Sequence, residues 1–112
     1  MAISPGTYDI TLQRRADYSV TLQFKDSTNT PIDLTGWTAA AQAWNEYRTT
    51  KYADFTVSYT NRLTGTIALS LTDDQTATFP TTAYYDVLLT NTSGLKEYYL
   101  EGAIYVSEGY TA

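Results

Sequence analysis

The 112-residue sequence contains no cysteine and no histidine. Without cysteine there is no disulfide and no thiolate metal site, so packing and backbone pairing alone must hold the fold. Without histidine the chain lacks the commonest general base, the usual metal ligand and the side chain that titrates nearest neutral pH. Carboxylate or lysine chemistry stays possible. Because both cysteine and histidine are absent, however, we expect no enzymatic activity, no cofactor and no metal site.

Positive charge and long apolar runs are also scarce. Seven Lys and Arg stand against twelve Asp and Glu, which gives a net charge of −5. So few cations neutralise phosphates poorly, and a nucleic acid is not expected as a partner. No run approaches the roughly 20 apolar residues of a membrane helix. Residues 1–6 lack the basic start and apolar region of a secretory signal. We expect no membrane association.

The sequence is instead rich in residues that suit β-strands. Tyrosine occurs 11 times, and threonine recurs in nearly every segment; both pack well across neighbouring strands. Alternation with a period of two predicts strands over residues 7–14, 17–25, 37–44, 54–60, 64–71, 83–90 and 95–107. The alanines of residues 37–44 also suit a short helix, which is the alternative for that segment. Residues 45–53 are predicted to form a long protruding connection. Thr72 and Gln75 fit a capping box, which predicts one helical turn.

This pattern predicts one domain over residues 1–112. About seven short strands separated by turns indicate an all-β, immunoglobulin-like antiparallel β-sandwich with one short helical turn. A small closed barrel is the structural alternative.

The alternation also predicts which side chains face the core. In residues 83–90, Tyr85 is expected inward, and Tyr84 and Asp86 outward. In the last strand, Tyr98 is expected on the face of the core residues, which turns Tyr99 outward.

Asp73 and Asp74 are the only adjacent carboxylates. They could form a hard-cation site or an acid–base pair, but their simplest role is as charges at the start of the helical turn, where the helix dipole favours them. An enzyme would require Asp73, Asp74 and Asp86 to converge. Asp86 and Glu101 are expected on solvent faces of strands, with nothing to indicate that they meet.

Aromatic side chains outside the core are the stronger signal. In each of the pairs at 84–85 and 98–99, one ring enters the core and the other lies on the opposite surface, while the loop adds further rings. Large amphipathic rings on a surface are typical of protein interfaces. The predicted interface residues are Trp44, Tyr47, Tyr52, Tyr84 and Tyr99. A sugar-stacking platform built from Trp37, Trp44 or the loop tyrosines is the alternative.

Several segments, in order along the chain, carry a resemblance to a known family. They are YDITLQ (8–13), DYSVTL (17–22), PIDLTGWTA (31–39), YDV (85–87), TSG (92–94) and LEGAIYVS (100–107). Together they resemble a group of small virion proteins of tailed phages, including cyanophages, and the N-terminal domain of phage baseplate upper proteins. The chain differs from that group in having Arg15 for a glycine, Trp37 for a tyrosine, and alanines in place of basic residues along the third strand.

The resemblance implies a non-enzymatic structural subunit of a phage particle, assembled in the cytoplasm of the host bacterium. A capsid cement or decoration protein, bound to the major capsid protein in a symmetric assembly, is the first expectation. A tail or baseplate adaptor, bound to tail or baseplate proteins, is the alternative. A carbohydrate-binding module on the virion is a more remote one.

Overall fold

The alternating segments form strands that pair into two sheets. The structure is a computed structural model that describes residues 6–26 and 28–108; residues 1–5, on which the expectation about a secretory signal largely rested, lie outside these ranges. Within the described residues the strands are β1 (Gly6–Thr7), β2 (Ile10–Gln13), β3 (Tyr18–Gln23), β4 (Thr38–Trp44), β5 (Lys51–Asp54), β6 (Thr56–Asn61), β7 (Thr66–Leu71), β8 (Thr82–Thr90) and β9 (Lys96–Ser107). A 3-10 turn at Arg62–Thr64 precedes β7, and the helical turn α1 (Asp73–Thr76) follows it.

The strands are arranged as a two-layer sandwich. One sheet has the order β1-β9-β8-β4-β5, with β2 also paired to β9; the other has the order β3-β7-β6. Pairing is antiparallel except for β1 and β2, which run parallel to β9. The chain changes sheets at Phe55, whose buried backbone N–H donates to the Ala41 carbonyl at 2.9 Å. The predicted all-β sandwich is thus confirmed, as two sheets rather than a closed barrel, while immunoglobulin-like connectivity stays a prediction.

The core lies between the sheets and is built mainly from alternate residues of the longer strands. On β8, Tyr85 and the apolar residues at 87 and 89 are buried, as the alternation predicted. β4 contributes the small side chains of Ala41 and Ala43, beside which larger rings pack. The rings of Phe55 and Tyr85 lie 5.9 Å apart between centroids. Burial of these apolar faces is the main stabilising contribution to the fold.

The predicted capping box is confirmed at α1. The Thr72 side chain accepts a hydrogen bond from the backbone of Gln75, and the Gln75 side chain accepts one from the Thr72 N–H. Asp73 and Asp74 lie in the first turn, where their charges suit the helix dipole. In the described ranges, no helix is long and apolar enough to cross a membrane.

Two predicted boundaries are wrong. The segment at 7–14 is two strands that pair with β9 in the same register. The Tyr8 N–H still donates to the Glu101 carbonyl at 3.0 Å, but the ladder is interrupted at Asp9, whose carboxylate accepts from the Ala103 N–H. The predicted protruding connection at 45–53 contains β5, which pairs with the edge of β4 and places Ala53 in the core. Its polar composition conceals the strand, because one side of β5 faces solvent. The described residues therefore hold nine strands rather than about seven.

A β-bulge reverses the predicted faces of two tyrosines. Val87 pairs with Leu100, whereas Leu88 pairs with Tyr98, so Tyr99 is an extra residue in β9. A bulge residue shifts the alternation of the strand by one position. Tyr98 therefore points outward and is 48% exposed, whereas Tyr99 packs against the core. The prediction for this pair is wrong.

Candidate functional site

The outward side chains of β4, β8 and β9 form three rows across the six-stranded sheet. The pairing registers place Trp44 beside Tyr84 and Ala103; Gln42 beside Asp86 and Glu101; and Ala40 beside Leu88 and Tyr98. All nine residues line an open groove of about 580 Å³. We call these nine residues, together with the adjacent Arg48, the outer groove.

Exposed aromatic rings lie at both ends of the groove. Tyr84 and Tyr98 are 40% and 48% exposed, and they lie in the two rows that flank the acidic middle row. The small side chain of Ala103 lies beside Tyr84, and that of Ala40 lies beside Leu88. The groove therefore combines aromatic surface at both ends with a polar middle row.

A tight loop between β4 and β5 supplies one wall. The Asn45 side chain accepts hydrogen bonds from the backbone N–H groups of Thr49 and Thr50 at 2.7 and 3.0 Å, which fixes the loop. Arg48 has a left-handed backbone with φ of 57°. Its guanidinium lies 5.5 Å from the centroid of the Trp44 ring, in cation–π geometry.

The middle row concentrates negative charge. Asp86 lies directly opposite Glu101 on the neighbouring strand, and like charges in that position destabilise a sheet. Partial burial raises the pKa of Asp86; nearby Arg48 lowers that pKa and Glu101 raises it further. The salt bridges found within the described residues lie elsewhere, between Glu108 and two arginines and within β5. Among the described residues, neither Asp86 nor Glu101 forms a salt bridge.

The N-terminal segment closes one side of the groove. Asp9 lines it, and its carboxylate accepts a hydrogen bond from the Ala103 N–H at 3.0 Å. The Tyr8 carbonyl accepts a hydrogen bond from the Tyr85 hydroxyl. Burial raises the pKa of the Tyr85 phenol, and the nearby phenols of Tyr18 and Tyr8 raise it further. The phenol therefore keeps its proton and can donate that bond over the ordinary pH range.

The structure places two of the predicted interface residues in the groove and a third in the loop beside it. Trp44 and Tyr84 are neighbours in the first row, and the Trp44 indole N–H donates to Gln42 at 3.0 Å. Tyr47 lies in the loop that carries Arg48 and is 77% exposed. Whether these residues contact a partner stays a prediction.

The other two predicted interface rings pack on the core instead. Tyr52 lies on β5, with its ring centroid 5.8 Å from that of Phe79. Tyr99 meets Phe24 and Trp37 edge-on, at 6.0 and 6.3 Å. Both rings are half-buried because β5 joins the sheet and the β9 bulge turns Tyr99 inward, so their predicted position outside the core is wrong. The contact with Tyr99 also packs Trp37 against the core, while Trp37 stays partly exposed.

The predicted acidic candidates separate into two places. Asp73 and Asp74 lie in α1, whereas Asp86 lines the outer groove. Among the described residues, no group of three or more carboxylates or other ligating side chains is placed to hold a metal ion. The expectation that Asp86 and Glu101 do not meet is wrong, since the β8–β9 register sets them side by side.

Several groove residues were missed by the reasoning from sequence. Gln42, Leu88 and Arg48 carried no motif, and Tyr98 was placed inward. Outward alternation on three strands was the available signal, but it shows neither which strands are neighbours nor their register. The sequence matches no protein-family model and has no significant match among curated proteins.

Proposed function

We propose that this protein is a structural subunit of a bacteriophage particle and that it works through protein–protein contact. The observation that carries the contact function is the outer groove, where Trp44, Tyr84 and Tyr98 stand on an open sheet face. Tyr, Trp and Arg dominate the energetics of protein interfaces. The assignment to a phage particle rests on the sequence resemblance, which spans most of the chain.

Within the particle, the first candidate is a capsid cement or decoration protein. A closed shell repeats one modest contact by symmetry, so each copy needs only a small interface for the assembled shell to gain stability. An exposed sheet face with rings at its ends suits such a contact with the major capsid protein. A tail or baseplate adaptor uses the same kind of surface and is the alternative location.

A carbohydrate-binding module is the second candidate function. One observation favours it: Trp44 and Tyr84 lie side by side, next to a row of side chains that form hydrogen bonds. Rings of this kind stack on sugar faces. Titration with host polysaccharide should then quench or shift tryptophan fluorescence, and an unchanged spectrum argues against this function.

Fractionation of purified virions tests the first proposal. Heads and tails are separated and probed with an antibody to this protein. Enrichment in heads supports the cement protein, and enrichment in tails supports the adaptor. Absence from both fractions contradicts a virion protein of either kind.

A matched pair of variants tests the contact surface. Tyr84→Ala with Tyr98→Ala should abolish incorporation into particles while the isolated domain stays folded, as circular dichroism can show. Tyr105→Ala is the control, because Tyr105 is 50% exposed on β9 but does not line the groove. If the double variant and the Tyr105→Ala control were incorporated equally well, the contact with the particle would have to lie outside the groove.

A further inference from the structure

The charge of the outer groove identifies the chemistry of its occupant. Four carboxylates line it, from Asp9, Glu46, Asp86 and Glu101, whereas Arg48 is the only cation in the lining among the described residues. An acidic cleft concentrates positively charged partners and repels anionic ones. Nucleic acids and acidic peptides are therefore poor candidates.

The negative charge of the groove is most concentrated at the pair of carboxylates in its middle row. Asp86 and Glu101 are directly opposed across two strands, and they repel each other in the isolated protein. A cation placed between them would remove this repulsion and gain two charge-assisted contacts. Since Asp86 is partly buried, water screens these contacts less than it screens pairs on an open surface.

Arg48 shows the binding mode within the chain itself. Its guanidinium lies over the Trp44 ring at one end of the groove. The opposite end offers a similar environment, with the Tyr98 ring and the apolar Leu88 side by side. Among the described residues, the nearest cation by register is Lys96, one row further along the sheet, and it forms no salt bridge with Asp86 or Glu101. Lysine and arginine combine an apolar stem with a charged tip, so they match such a surface.

We propose that the outer groove binds a lysine- or arginine-bearing segment of a partner protein, with the cation between Asp86 and Glu101 and its stem along Leu88 and Tyr98. This inference rests on the proposed function as a structural subunit and specifies the chemistry of its partner. In a virion, that partner is a basic segment of a neighbouring subunit.

Titrations of the full chain, followed by ¹H–¹⁵N NMR, test the groove directly. The probes are the peptide acetyl-Gly-Arg-Gly-Arg-Gly-amide, the same peptide with Glu in place of Arg, and the neutral sugar cellohexaose. The arginine peptide should shift the Trp44 indole signal and the backbone amides around Asp86 and Glu101, more strongly at low than at high salt. The glutamate peptide should shift none of them.

A pair of double variants with the same charge change provides the control. Asp86→Asn with Glu101→Gln should weaken binding of the arginine peptide by roughly tenfold. Asp73→Asn with Asp74→Asn removes two charges outside the groove and should leave affinity within about twofold, apart from long-range screening. Equal weakening by both variants would reduce the effect to net charge and overturn the inference.

The remaining outcomes are decisive as well. Saturation by cellohexaose, without a response to the arginine peptide, overturns the inference and identifies a carbohydrate groove. If this protein binds the arginine peptide but is absent from virions, the inference about the groove is supported and the proposed function is refuted. A protein found in virions whose groove ignores the arginine peptide refutes this inference alone.

Discussion

Gly102 lies directly beneath the Tyr8 carbonyl, where the N-terminal segment runs along the edge of β9 between β1 and β2. A Cβ atom at this position would lie 2.1 Å from the Tyr8 oxygen, 2.7 Å from its carbonyl carbon and 3.2 Å from the Asp9 carboxylate. These atoms belong mostly to backbone, so the segment has to move to admit a methyl group. Gly102→Ala therefore tests how closely the N-terminal segment packs against β9.

The size of the effect follows from two contributions. Overpacking a well-packed site costs about 1–3 kcal/mol. The shift would also break the hydrogen bonds from Tyr85 to Tyr8 and from Ala103 to Asp9, each worth about 1 kcal/mol. A shift of the N-terminal segment relieves the steric overlap but breaks these hydrogen bonds, so the two costs do not add in full. We therefore expect the free energy of unfolding to fall by about 2–4 kcal/mol.

Urea unfolding followed by tryptophan fluorescence measures this change. Gly6→Ala is the matched control, because a Cβ atom there meets its nearest neighbours at 3.7 Å, and it should alter stability by less than about 0.5 kcal/mol. Tyr85→Phe should cost less in the Gly102→Ala background than in the natural protein, since the same hydrogen bond is already lost. Equal midpoints for Gly102→Ala and Gly6→Ala would refute the close approach of Tyr8 to β9.

Two further predictions concern the bulge and the acidic row. Tyr99→Ala should lower the free energy of unfolding by about 2–3 kcal/mol, because its ring packs against Phe24 and Trp37, whereas Tyr98→Ala should cost less than about 1 kcal/mol; equal losses in urea unfolding would contradict the bulge. Asp86→Asn should raise stability at pH 7 by less than about 1 kcal/mol, since the pKa of Asp86 is raised in the fold and its charge is therefore disfavoured there. The gain is present above the raised pKa and vanishes as the pH falls below the ordinary carboxyl value of 3.8, so a gain that persisted in acid would refute the electrostatic origin.

The features that the sequence predicted correctly depend on neighbours in the chain. The capping box of Thr72 and Gln75 is closed by hydrogen bonds between residues three apart. The faces of β8 follow from strict alternation, with Tyr84 and Asp86 outward and Tyr85 inward. Such patterns are readable without knowing which strands lie side by side.

The errors arise where a contact between distant residues overrides the local pattern. The interruption between β1 and β2 depends on the approach of Tyr8 to Gly102, 94 positions along the chain. The reversal of Tyr98 and Tyr99 depends on one unpaired residue opposite β8. The acidic pair of the groove has the same origin, because only the β8–β9 register sets Asp86 against Glu101. The alternation therefore predicts which side chains face outward, but it does not predict which of them lie side by side in the groove.

The opposed carboxylates link the stability of the domain to its proposed binding. For the isolated domain, a neutral residue in place of Asp86 is the better choice, because it removes both the burial of a charge and the repulsion from Glu101. A partner's cation reverses that preference by supplying the missing opposite charge. Asp86→Asn should therefore raise the free energy of unfolding and weaken binding of the arginine peptide in the same protein. A variant that merely damaged the fold would lower both quantities, so the opposite signs separate an electrostatic binding surface from a structural defect.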